Sequence, residues 1–95
     1  MFIVNLIYEK PLAEIEAATQ VHRDYLEIFY QKGIFLASGP KVPRDGGVII
    51  VNGKVSRSEL EQILDGDPFR QKQLVRFEIT EFTPVKYNPA LIDLL

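Results

Sequence analysis

Two short stretches, Phe2-Ile3-Val4-Asn5-Leu6-Ile7-Tyr8 and Val48-Ile49-Ile50-Val51, are apolar at almost every position rather than at every second one. Successive side chains of a strand point to opposite faces, so runs of this kind ask for burial on both sides. Each is too short to be a helix. The fold must therefore place these strands inside a sheet and find cover for two faces.

The rest of the chain supplies limited cover. A long amphipathic helix is expected from Pro11 to Gln31, with proline suited to its first turn and Gly33 free to take the left-handed conformation past its end. Ser56-Arg57-Ser58-Glu59 reads as a capping box, opening a second helix with Leu60, Ile63 and Leu64 as its apolar side. Asp65-Gly66-Asp67-Pro68 ends that helix and starts a short helical turn, in which Asp67 is the N-cap and Pro68 the first residue.

Between and after the helices lie the remaining strands. Ile34 to Ser38 reads as the second strand, closed by Gly39-Pro40. Lys41 to Gly47 is polar, contains Pro43 and Asp45-Gly46-Gly47, and reads as a mobile connection. Asn52-Gly53 marks the turn after Val51. Leu74 to Phe82 alternates, with Val75, Phe77 and Ile79 on one side and Arg76, Glu78 and Thr80 on the other, until Pro84.

The order is βαββαβ over one domain, residues 1–95. It is the ferredoxin-like α+β arrangement, an antiparallel sheet with both helices on one face. Two helices leave the other face bare, and an apolar patch of that size is more than soluble monomers usually carry. A homodimer with the two sheets face to face would cover it. The apolar tail Pro89 to Leu95 is expected to dock on the partner, over a pocket mouth, or within its own subunit.

Composition narrows the chemistry. A net charge of -2 gives no electrostatic footprint for nucleic acid or an anionic membrane, and the third strand has no aromatic residue on which a base could stack. The chain has no cysteine, so neither a disulfide nor a thiolate site is open to it, and its single histidine argues against a metal centre within one chain. No cofactor-binding motif is apparent. Nothing resembles a signal peptide, and no apolar run approaches the roughly 20 residues that span a bilayer, so a cytoplasmic protein is expected.

That single histidine, His22, falls in an unusual place. With about 100° per residue, the long helix carries Leu12, Ile15, Ala18, Leu26 and Phe29 along one side, with His22 in the middle of their arc. A buried imidazole needs a polar partner, since leaving such a group unpaired costs about 1–3 kcal/mol. It is either a satisfied core residue or a group facing a pocket, and spacing alone favours the first. A carboxylate able to reach the ring would favour the second.

Asp67 is the best candidate for that carboxylate. Capping already explains it, but its two oxygens could accept a backbone amide on one and an imidazole N–H on the other. Such a pair fixes the tautomer and stabilises the imidazolium formed when the ring takes a proton. Tyr8, Tyr25 and Tyr30 read as core aromatics, and Ser38, Gly39 and Pro40 as either turn chemistry or the lining of a pocket.

His22 with Tyr25-Leu26, then Lys32-Gly33-Ile34-Phe35-Leu36-Ala37-Ser38-Gly39-Pro40, then Asp45-Gly46-Gly47, and finally Asp65-Gly66-Asp67-Pro68-Phe69 resemble in order the pattern of YciI-like (YCII-related) proteins. The resemblance implies a ferredoxin-like fold assembled as a dimeric α+β barrel, with a site centred on a histidine and an aspartate that fall here on His22 and Asp67. One member of that family dechlorinates a chlorinated hydroxyhydroquinone, and muconolactone isomerases share the architecture. Some members carry an arginine one turn before the histidine, where this chain has Thr19. An anionic group would then have to be held by Arg23 or Lys41.

Two functions are thus expected to compete. One is a cofactor-independent lyase or isomerase that works on a small cyclic or aromatic-derived metabolite, with His22 as base and Asp67 orienting it. The other is a dimeric module that binds a small molecule or a partner without catalysis. A ring open to a cavity and bonded to Asp67 speaks for the enzyme; a ring closed off and paired to backbone speaks for the module.

Overall fold

A computed structural model describes residues 1–95. Four strands, β1 (Phe2–Tyr8), β2 (Phe35–Pro40), β3 (Gly46–Val51) and β4 (Val75–Glu81), form one antiparallel sheet in the order β2-β3-β1-β4. The helices are α1 (Leu12–Gln31), α2 (Arg57–Asp65) and the short α3 (Pro68–Gln71), and a 3₁₀ helix covers Pro89–Leu94. Both strands that read as continuously apolar are central, and the element order is the expected βαββαβ with α3 inserted before β4.

One face of the sheet carries the core. Phe2, Val4 and Leu6 of β1, Ile49 and Val51 of β3 and Val75 of β4 are buried on it, together with Ile15, Ala18, Leu26 and Phe29 of α1 and Leu60 and Leu64 of α2. Fully burying a side chain of this size contributes about 1.5–3 kcal/mol, so this layer dominates the fold's stability. Within the single chain the opposite face is not buried: Ile3 is 38% exposed and Ile7, Val48 and Ile50 are half-buried. Burial of β1 on both faces therefore does not hold for one subunit. Leu12, expected on the buried stripe, is also exposed, because it lies at the first turn beyond the edge of the sheet-covered arc.

The helix ends follow their residues. Gly33 has φ +70, its amide bonds to Tyr30 O, and the amide of Ile34 reaches Phe29 O, which is a Schellman closure of α1. The capping box of α2 is present in full, Ser56 accepting from the Glu59 amide and Glu59 from the Ser56 amide. Buried Asn52 bonds through its side chain to Gly33 O and to the Lys54 amide, locking the turn after β3 against the end of α1.

Three departures from the sequence reading concern the region around β2. Gly39 and Pro40 do not close the strand after Ser38; they belong to it, with Ser38, Gly39 and Pro40 opposite Ile49, Val48 and Gly47. β2 is an edge strand, where proline's missing donor costs no ladder bond. The register also shifts between Phe35 and Ala37, so Leu36 is an inserted residue. A bulge of this kind changes which side chains face in: Phe35 and Ser38 both point to the helix side, where a regular ladder would have turned Ser38 away.

The third departure is the connection Lys41–Asp45, which is tied rather than loose. The Lys41 amide bonds to Gly46 O at 2.9 Å, the Asp45 amide to Pro43 O at 3.0 Å and the Tyr8 amide to Asp45 O at 3.3 Å. The tail packs against its own chain, where Lys54 Nζ donates to Asp93 O at 2.9 Å, but Leu91, Ile92 and Leu94 stay exposed. No helix is long and apolar enough to cross a membrane.

Candidate active site

His22 sits where α1 passes over α3. Its Nδ1 lies 2.8 Å from Asp67 Oδ1, and its ring stacks on Phe69 with centroids 3.8 Å apart and planes 3° from parallel. A carboxylate only accepts, so Nδ1 carries a proton, and in the neutral ring Nε2 has the lone pair. The histidine is 8% exposed, and what it exposes faces a cavity of about 180 Å³.

Short-range structure delivers both of its supports. Asp67 caps α3 by accepting the Phe69 amide at 2.9 Å, again on Oδ1, and Phe69 is the residue on which the ring stacks. The sequence Asp67-Pro68-Phe69 therefore fixes the ring in angle and in plane at once. The division of labour expected of the two oxygens is not found. Oδ1 takes both donors, because the stacked ring brings Nδ1 to the same side as the Phe69 amide, and Oδ2 is buried without a partner. Asp67 is fully buried and does not line the cavity, so His22 stands between it and that space.

Around the cavity stand β1 with Leu6 and Tyr8, the inner side of β2 and β3, and the loop carrying Arg44. Ser38, Gly39 and Pro40 all line it, with the Ser38 hydroxyl 2.6 Å from the Tyr30 hydroxyl. Thr19 lines it too, its hydroxyl donating back to Ile15 O at 2.8 Å. The cations at its wall are Arg23 and Arg44, whereas Lys41, considered from sequence, does not reach it.

Arg44 and Tyr8 were not legible as site residues. Arg44 lies in a segment without periodicity, and Tyr8 read as one more aromatic on a core strand. The Arg44 Nε donates to the Tyr8 hydroxyl at 3.5 Å, and that contact holds the guanidinium's pKa above its ordinary value against a smaller opposing effect of burial. Next to the dyad, the Tyr25 hydroxyl donates to Ile63 O at 2.7 Å; burial first, and the Asp67 carboxylate second, raise its pKa.

The arrangement can accept a proton. An imidazole with one nitrogen committed to a buried carboxylate and the other facing a space for a small molecule has the geometry of a general base. The nearly parallel Phe69 ring presents its negative face to the charge that the imidazole gains.

The family model of the YCII-related domain matches residues 1–83. No curated protein matches the chain in sequence. Among solved structures it is similar to the 5-chloro-2-hydroxyhydroquinone dehydrochlorinase (TftG) of Burkholderia phenoliruptrix AC1100 in complex with 2,5-dihydroxybenzoquinone. The TM-score is 0.70 at 19% identity, over 87% of this chain and 94% of that one. At that identity the likeness is one of fold.

Proposed function

The chain belongs to the YCII-related domain family, and from that membership and the geometry of His22 we propose that it is a cofactor-independent enzyme of lyase or isomerase type, acting on a small cyclic or aromatic-derived metabolite. The observation that carries the reading is the 2.8 Å bond from His22 to a fully buried Asp67, beside a cavity. A satisfied core histidine would face no such space.

In this reading His22 Nε2 removes a proton from carbon next to a carbonyl, or from a ring hydroxyl. The electron pair left behind moves onto the carbonyl oxygen, or stays on the ring oxygen. Return of the proton to another carbon isomerises the substrate; alternatively, that electron pair forms a new π bond while a leaving group departs with the electrons of its own bond to carbon, which is an elimination. Asp67 holds the tautomer and balances the imidazolium. Ser38, Gly39 and Pro40 form the substrate wall. The similar dehydrochlorinase carries a six-membered dihydroxyquinone in its structure, which supports a ring-sized ligand here.

A second copy of the chain belongs to the proposal. The bare sheet face with Ile3, Ile7, Val48 and Ile50 would pack against its equivalent in a two-fold dimer, closing an α+β barrel.

A thermal-shift screen of small cyclic metabolites tests the function, since a ligand at about 100 times its Kd adds roughly 2.7 kcal/mol of stability. Compounds that bind are then assayed for turnover. His22→Asn is expected to lower turnover by about 10²–10⁴-fold while the protein stays folded. Unchanged turnover would remove His22 as the base, and binding without turnover in the wild type would make the protein a binding module.

A further inference from the structure

The base occupies one wall of the cavity, and the remaining charge around it is of one sign. No aspartate or glutamate lines the cavity, whereas Arg23 and Arg44 both do, in a chain whose net charge is -2. Asp67, behind His22, is shut off from it. Both arginines are exposed to solvent at the rim of a half-open cavity, so together they invert the molecule's charge locally at its mouth.

Neither guanidinium is used up by the protein. Arg23 takes no part in any of the five ion pairs of the chain. Arg44 touches Glu16 only at 3.7 Å across an exposed pair, which solvent screens, and its Nε contact with Tyr8 leaves further N–H donors of its planar fork unassigned. The backbone that carries it is tied to the end of β1 and the start of β3, and the Tyr8 hydroxyl is the side-chain partner of its Nε.

The floor is different in kind. Leu6, Leu26 and Ile49 make it apolar, and about 180 Å³ is the size of space that takes one six-membered ring, since a cavity near 150 Å³ in another protein holds benzene. Taking His22 as the base, we propose that the ligand is a monocyclic carboxylic acid. It is bound as its carboxylate by Arg44 with Tyr8 and Arg23, with the ring on the apolar floor and its reacting proton towards Nε2. Guanidinium and carboxylate match as planar, two-pronged partners, which an ammonium does not provide.

Benzoate and its neutral isostere benzamide are the probes, titrated into the uniformly labelled protein and followed by amide chemical shifts at neutral pH. Benzoate is expected to shift cavity residues and to bind at least about tenfold more tightly than benzamide, with its affinity falling as salt is added. Arg44→Met should abolish that preference and leave benzamide binding unchanged, and Arg44→Lys should restore part of it. Equal binding of the two probes, no binding of benzoate, or an undiminished preference in Arg44→Met would overturn the proposal.

The same titration on His22→Asn tells this proposal from the base assignment on which it rests. A preference for the acid that survives there supports an anion site separate from the base. A preference missing from the wild type fells the anion site even if His22→Asn is inactive, and full turnover in His22→Asn fells the base assignment alone.

Discussion

Tyr25 carries a pH dependence that a single substitution can isolate. Burial and the Asp67 carboxylate raise its pKa, so the folded chain holds this proton more tightly than the unfolded one, whose phenol ionises near 10.0. Above that pH the unfolded state loses the proton first, so stability present at neutral pH is lost as pH climbs towards the folded value. Tyr25→Phe is expected to flatten this alkaline decline. It should also cost about 1 kcal/mol at neutral pH for the bond to Ile63 O. Denaturant midpoints from neutral to alkaline pH check both parts, and an unchanged slope would refute the first. Single residues were unevenly legible. His22 stands out from sequence because helical periodicity defines the apolar arc that it interrupts. The choice of Oδ1 for both donors of Asp67 depends on the stacking of His22 on Phe69, a contact between distant parts of the chain that no local pattern encodes.

Among the elements, four-residue α3 matters beyond its length. Its cap and its second residue hold the imidazole, so the stability of the turn and the orientation of the base share one side chain. Asp67→Asn keeps an oxygen for the Phe69 amide but no charge to balance an imidazolium. It is expected to leave the unfolding midpoint almost in place and to lower turnover by about 10²-fold or more. Asp67→Ala removes the cap as well and should destabilise the chain by about 0.5–2 kcal/mol. If the two variants are equally destabilised, the cap is not what Asp67 contributes to stability. The cap itself was readable from Asp67-Pro68 alone. The bulge at Leu36 was not, because nothing in Phe35-Leu36-Ala37-Ser38 marks an inserted residue; it arises when β2 must keep both Phe35 and Ser38 on the helix side of β3.

For the molecule as a whole, the proposed dimer makes a test of the bare sheet face. The wild type is expected to show twice the mass of one chain in light scattering. Ile50→Lys, which would set an unpaired charge between the two sheets, should raise the dimer's Kd at least about tenfold and leave the helix-covered core intact. A wild type of single-chain mass, or a lysine variant as dimeric as the wild type, would end the face-to-face pairing. By itself, the amino-acid sequence determined the order of elements, the central place of β1 and β3, the ends of the helices and the polar residue on the buried stripe. These are properties of neighbours along the chain, where periodicity and capping act over a few residues. Only the tertiary structure decided that Asp67 reaches His22, that Ser38 faces inward, that the Lys41–Asp45 loop is tied down and that Arg44 joins the cavity wall. Each of those depends on two segments meeting in space, and that meeting is set by packing of the whole core rather than by any pattern within either segment.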